Sequence, residues 1–290
     1  MPTRALALLT AALVAALMVL GGVVHATESS LACPDWPTCH GEWTPEMVGG
    51  VRFEHSHRLL GALVGGLTIA LAGLLWRRGG AERAAGVGVL ALVVAQGLLG
   101  ALTVRLELPP AVSTAHLATA FGCLALVLWI ARPAVKPTRA PASVEGWTGL
   151  AAALVWAQSV LGAVVRHTDA GTACGVDPIR CAGQWAPAWD LGRLQMLHRG
   201  IAVVVMGVVV IAVVRVVRAP SCQRLRPLAF VALCVVLAQV GLGVLSVTTA
   251  LDEWVVTLHL AGGVGLFAAM LWLRLAVRRP AVRRTRPRAA

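Results

Sequence analysis

A chain of 290 residues with 58% hydrophobic and 13% charged side chains and a mean hydropathy of +0.79 carries about half the charge of an average soluble domain. That balance excludes a large soluble catalytic domain, a collagen-like or disordered chain and a small disulfide scaffold. The excess of 25 Lys and Arg over 13 Asp and Glu is, in so apolar a chain, a signal of membrane orientation, so no nucleic-acid partner is expected.

In chain order the apolar stretches fall at 5–25, 56–76, 84–104, 111–131, 147–166, 194–214, 227–247 and 254–273, each reaching the ~20 residues that cross a bilayer. The expected fold is an all-α integral membrane protein with eight transmembrane helices, multi-pass in the cell membrane and surrounded by lipid. An even number of spans puts both termini on one side. Cytoplasmic termini place 18 of the 25 basic residues inside, among them Arg4, Arg77, Arg78, Arg83, Lys136 and the seven arginines from Arg274 to Arg288, and leave only Glu82 and Glu145 of the acidic residues there. The positive-inside rule therefore selects cytoplasmic termini. The first stretch, with Arg4 before it and Val24-His25-Ala26 after it, has the outline of a signal peptide but exceeds the ~7–15 residues of a usual apolar region. It is expected to stay as a span.

The two halves repeat. Cys33, Cys39, Gly41, Trp43 and Pro45 align with Cys174, Cys181, Gly183, Trp185 and Pro187; the segment Arg52 to Arg58 aligns with Arg193 to Arg199; and Gln96-x3-Gly100 aligns with Gln239-x3-Gly243. The expected organisation is two tandem four-helix bundles of parallel topology. Residues 1–131 form an N-terminal unit, 132–146 a cytoplasmic linker, 147–274 a C-terminal unit and 275–290 a basic cytoplasmic tail.

Four of the eight histidines, His57, His116, His198 and His259, lie near the starts of spans 2, 4, 6 and 8, all on the outer side and within roughly 10 Å of the boundary at the helical rise. Each unit thus offers two imidazoles at similar depth. Two histidines on facing helices, without the cysteines or carboxylates that complete a zinc or calcium shell, suit the axial positions of haem iron. Interfacial histidines bonded to neighbouring helices are the plainer reading, but ionisable groups inside a membrane are costly and usually functional. Arg58, Arg105, Arg166 and Arg199 sit at the same level, as propionate partners or as snorkelling interfacial arginines.

The loop cysteines form a Cys33-x5-Cys39 pair and a Cys174-x6-Cys181 pair. On the oxidising side of a membrane they read as disulfides, with a redox-active or metal-handling pair as the alternative. Cys123, Cys222 and Cys234 read as buried small apolar residues or as inert thiols. Where the halves differ, Glu54 becomes Gln195 and Glu42 becomes Gln184. A carboxylate three residues before a haem-binding histidine can move protons or stabilise developing positive charge, and an amide can do neither. That contrast places chemistry in the first unit and a fixed cofactor in the second, unless Glu54 only caps its helix.

The string Leu31-Ala-Cys-Pro-Asp-Trp-Pro-Thr-Cys-His-Gly41, the Glu54-His-Ser-His57-Arg58 motif, the Gln96 region and the histidines of spans 4, 6 and 8 resemble the bacterial haem A synthase family over nearly the whole chain. Two departures are His25, where the family commonly has arginine, and Ser30, where it has glycine. The resemblance implies an enzyme that oxidises the C8 methyl of haem O to a formyl group, giving haem A for cytochrome oxidase. It implies haem b held by His198 and His259, substrate haem served by His57 and His116, and Glu54 in catalysis. With no flavin, nicotinamide or iron–sulfur motif present, an external electron donor is required, and haem O synthase is a candidate partner. Other readings are a quinol-linked di-haem b-type electron-transfer protein, which has no need of the Glu54/Gln195 contrast, and a haem transporter, which calls for more polar residues deep in the spans than Gln96, Gln158 and Gln239.

Overall fold

The computed structural model describes residues 2–132 and 138–278. The middle of the expected linker, with Lys136, and most of the basic tail lie outside them. Eight long helices run in chain order: α1 (Pro2–Ala26), α2 (Val51–Trp76), α3 (Gly80–Arg105), α4 (Pro110–Ala131), α5 (Ala142–His167), α6 (Asp190–Arg218), α7 (Arg226–Thr248) and α8 (Glu253–Ala276). All eight are long and apolar enough to cross a membrane. They exceed the apolar stretches by up to a turn or so at their ends, because polar first and last turns continue the helix but fall outside a purely apolar window. Pro110 and Pro227 open α4 and α7, where a missing N–H costs nothing. Asp252 caps α8 by accepting from Trp254 N at 3.0 Å and Val255 N at 3.1 Å.

The first four helices close a ring, each touching the next and α1 touching α4; α5 to α8 close a second ring with α5 against α8. The rings meet where α1 and α4 pack on α8 and α4 on α5. At that seam Phe121 of α4 and Phe267 of α8, both buried, meet edge to face with ring centroids 5.1 Å apart. One end of the molecule is tied by Arg4 Nε donating to Ala131 O at 3.2 Å and by the Arg274–Glu145 ion pair at 2.8 Å. The same end holds a feature the apolar pattern does not signal: β1 (Thr138–Arg139) pairs in parallel with β2 (Val277–Arg278). The opposite end carries both cysteine loops.

Those loops share their backbone shape. Cys39 bridges Glu42 and Cys181 bridges Gln184. His40 and Gly41 adopt φ of 53° and 79°, while Ala182 and Gly183 adopt 48° and 79°, a tight turn that places glycine where a side chain is strained. The turns before α4 and α8 also match, with Glu107–Leu108 and Ala250–Leu251 all at positive φ. Cys234 departs from the expected burial: it is exposed on α7, whereas Cys123 and Cys222 are buried.

Candidate functional site

His57 on α2 and His116 on α4 lie within electrostatic reach of each other, as do His198 on α6 and His259 on α8. Each imidazole rests on a glycine of a neighbouring helix. A Cβ on Gly21 of α1 would stand 3.0 Å from His57 Cε1, and one on Gly162 of α5 would stand 3.1 Å from His198 Cε1. On α3 and α7, Gly100 and Gly243 leave 3.6 Å and 3.4 Å to His116 Cε1 and His259 Cε1. Small residues of this kind let helices approach closely in a membrane, and here the space they leave is taken by the imidazole. The Nδ1 atoms of His57, His116 and His259 are buried, with the backbone of Leu17, Gln96 and Gln239 respectively beside the three rings, while His198 Nδ1 lies 3.0 Å from Gln158 Nε2. The rings are half-buried, so the Nε2 edge is the side left to meet a ligand.

Glutamines steady the helices that carry these rings. Gln96 of α3 donates to His116 O at 2.9 Å and to Thr119, and Gln158 of α5 donates to His198 O at 2.9 Å. Gln239 of α7 lies against Gly262 of α8. The four imidazoles and their glycine seats form two separate nests, one in each ring of helices, and the chemistry of each imidazole pair would suit the iron of a porphyrin. The seats make a test: Gly162→Val is expected to displace His198 and lose most of the bound haem, while Gly61→Val, at a position with no atom within 4 Å, keeps it. Pigment content after purification checks this.

Above the first nest the cysteine loop is clamped from α2. Cys33 and Cys39 are joined, as are Cys174 and Cys181, in agreement with the expected disulfides. Glu54, 4% exposed, accepts from Cys33 N at 2.7 Å and pairs with Arg58. Arg58 in turn donates to Asp35 O at 2.6 Å, Cys33 O at 3.0 Å and Thr38 O. Its guanidinium is therefore committed to the loop. The second unit differs: Arg199 donates from Nη1 to Asp177 O at 2.9 Å and Arg180 O at 3.3 Å, but its Nε and Nη2 are buried without partners. Gln195 donates to Gly171 O at 3.3 Å and leaves Oε1 unpaired. A guanidinium with spare donors beside His198 fits a propionate; both terminal nitrogens of Arg58 are already engaged. Of the other arginines considered for that role, Arg105 is exposed and Arg166 pairs with Glu28 at 3.5 Å.

Asp35 orders the loop tip by accepting from His40 N at 2.6 Å, Gly41 N at 3.0 Å and Thr38. These donors pull its carboxyl from the ordinary 3.8 to about 2, the Thr38 hydroxyl most of all. Because the folded value lies below the unfolded one, this anchoring is complete above pH 3.8 and is lost only as pH falls through about 2. Hydrogen exchange of the 34–42 segment should be unprotected in Asp35→Ala at neutral pH, and in the parent loop should show the anchoring intact from pH 7 to pH 5.

Sequence reasoning found the four histidines, Glu54 and the cysteine pairs but missed the glycine seats. The signal was there: Gly21 and Gly162 are separated by 141 residues, as are His57 and His198. It also missed a seam contact. The ring of His25 at the end of α1 stands 4.8 Å from that of His167 at the end of α5, and Arg166 Nη2 donates to His25 O at 3.3 Å. At this level, where the sequence has His25 in place of the family's common arginine, a guanidinium comes from Arg166 of the other ring.

The match to known proteins covers the same elements. The family described as cytochrome oxidase assembly protein, COX15-CtaA, matches residues 4–48 and 51–271. The chain belongs to the COX15-CtaA family. Among its relatives, a haem A synthase of Halalkalibacterium halodurans is 31% identical over 258 residues, covering 83% of this chain and 86% of the relative. A haem A synthase of Geobacillus thermodenitrificans is 29% identical over 288 residues, covering 92% and 90%. The human protein named haem A synthase COX15 is 28% identical over 330 residues, covering 92% and 80%. For this COX15-CtaA chain the match takes in all eight helices and both cysteine loops.

Proposed function

We propose that this protein is a haem A synthase, a membrane enzyme that oxidises the C8 methyl group of haem O to the formyl group of haem A. The observation that carries this reading is the pair of histidine nests at one end of the bundle, alike in their imidazoles and glycine seats and unlike in the charges above them, in a chain of the COX15-CtaA family.

In the second nest His198 and His259 would hold a resident haem b through its iron, and Arg199 would pair with a propionate. A haem held there would supply one-electron chemistry. The first nest receives haem O, which His57 and His116 bind and orient by its iron. Gly21 and Gly100 seat the two imidazoles against α1 and α3. Glu54 supplies a fixed negative charge at the rim of this nest, held in place by the Cys33 amide and Arg58. Oxidation of a methyl on the porphyrin ring develops positive charge beside the macrocycle, and a preorganised carboxylate stabilises it more in a low-dielectric site than in water. The second unit, with Gln195 in that place, lacks this charge.

The orientation that accompanies this reading has both termini and the 77–83, 132–146 and 215–226 segments in the cytoplasm and the cysteine loops outside, from the bias of basic residues. Cysteines introduced at Glu46 or Ala188 should react with an impermeant reagent from outside in intact cells; reaction only after permeabilisation contradicts the orientation.

Extraction and chromatography of the pigments separate this reading from a di-haem electron carrier. A synthase purified from cells that supply haem O contains haem b together with haem O or its oxidised products. Two equivalents of haem b and nothing else would identify a carrier.

A further inference from the structure

We propose that the first cysteine loop is a redox-gated copper(I) site, in which reduction of Cys33–Cys39 frees two sulfurs that bind one monovalent copper together with His55.

His55 has no part in the haem nests. It opens the second turn of α2, 4% exposed, on the side of the cysteine loop. Its Nε2 stands 3.1 Å from Trp43 O. A carbonyl oxygen only accepts, so Nε2 carries the hydrogen and Nδ1 carries the lone pair. That Nδ1 is buried and has no partner, an arrangement that costs free energy unless the lone pair is used. A backbone carbonyl that fixes one ring nitrogen as donor is also the arrangement that presents the other nitrogen to a metal. A ring nitrogen of His55 and the sulfurs of Cys33 and Cys39 all lie within 4.8 Å of one another, and the three residues are buried. Among the described residues this is the one group of three or more such side chains close enough to share an ion.

The donor set selects the metal. Two thiolates and an imidazole are soft donors, which favour copper(I) and zinc. Zinc completes four positions, whereas copper(I) is stable with three, the number this group offers. Two thiolates and copper(I) leave one negative charge, beside the Arg58–Glu54 ion pair whose guanidinium donates to Cys33 O at 3.0 Å. The second loop is a built-in comparison. Met196 stands where the first unit has His55, and its sulfur is met by Arg199 Nη1 at 3.8 Å, so Cys174 and Cys181 have no imidazole beside them.

The chemistry balances with an added dithiol. The Cys33–Cys39 bond breaks as two electrons and two protons pass from the dithiol, which closes to its own disulfide. Copper(I) then forms two bonds to sulfur and releases both thiol protons.

The test uses purified full-length protein with its haem, reduced anaerobically with dithiothreitol, desalted and titrated with the copper(I)–bicinchoninate complex, whose colour falls as copper is withdrawn. The expected result is one equivalent taken by the reduced protein and none by the oxidised protein. That equivalent persists in Cys174→Ser/Cys181→Ser and disappears in Cys33→Ser/Cys39→Ser. His55→Ala and His55→Gln should each weaken it at least tenfold; the glutamine keeps a donor for Trp43 O but replaces the nitrogen lone pair with an amide oxygen, a poor copper(I) ligand. Haem content of the same samples verifies folding, and the variant that keeps its haem is the one read. No copper uptake on reduction, unchanged affinity in the folded His55 variant, uptake that depends on Cys174 and Cys181, or preference for zinc(II) over copper(I) would each overturn the proposal.

Discussion

His198→Ala and His259→Ala are each expected to yield protein stripped of haem b, whereas His57→Ala and His116→Ala keep haem b and make no haem A. The expectation rests on the separation of the two nests. His57 and His116 belong to the ring formed by α1 to α4, His198 and His259 to the ring formed by α5 to α8, and each imidazole is seated on a glycine of its own ring. With His198 and His259 as the proposed haem ligands, removing one would leave Arg199 and a single imidazole to hold the cofactor, while the first nest would be untouched. The outcome is read from the absorption spectrum and extracted haems of each purified variant. Equal loss of haem b from all four variants would mean that both nests hold fixed haem, the behaviour of an electron carrier.

Glu54→Gln is expected to keep the fold and haem b but to lower conversion of haem O to haem A by roughly 10²-fold, within the range for loss of one electrostatic or acid–base group. The amide oxygen of glutamine can still accept from Cys33 N, and Arg58 keeps its carbonyl acceptors on Asp35, Cys33 and Thr38, so the loop stays clamped while the charge is lost. The reciprocal Gln195→Glu should produce no second active unit; it places a carboxylate beside the spare donors of Arg199 and competes with the propionate. Near-normal haem A from Glu54→Gln with an intact loop would reduce Glu54 to a clamp. Loop integrity is followed separately by hydrogen exchange of residues 34–42, so a fall in activity through unfolding of the loop is distinguishable from loss of charge.

The fold was legible because the membrane makes it so: a span must be apolar over ~20 residues and must satisfy its own backbone, so eight stretches in the sequence become eight helices. The four histidines were legible as ionisable groups set at one depth. The commitments of the polar groups around them were not. Arg58 and Arg199 occupy matching places in the sequence, yet one is taken up by Glu54 and three loop carbonyls and the other keeps unpaired donors. That difference depends on where a loop folds back onto a helix, which spacing does not record. His55 was passed over for the same reason. In the sequence it is one more histidine beside His57, and only the fold of the 26–50 segment brings the Cys33–Cys39 pair against it. The pairing of His25 with His167 joins two rings of helices more than a hundred residues apart in the chain, and no local pattern signals it.

The central claim, that the first nest oxidises haem O, is tested most directly by expressing the chain in cells that make haem O but no haem A, then extracting the membrane haems and separating them by chromatography with mass detection. The account predicts haem A in cells carrying the parent chain and haem O alone in cells carrying His57→Ala. Haem O unchanged in the presence of the folded, haem b-loaded parent chain would contradict it.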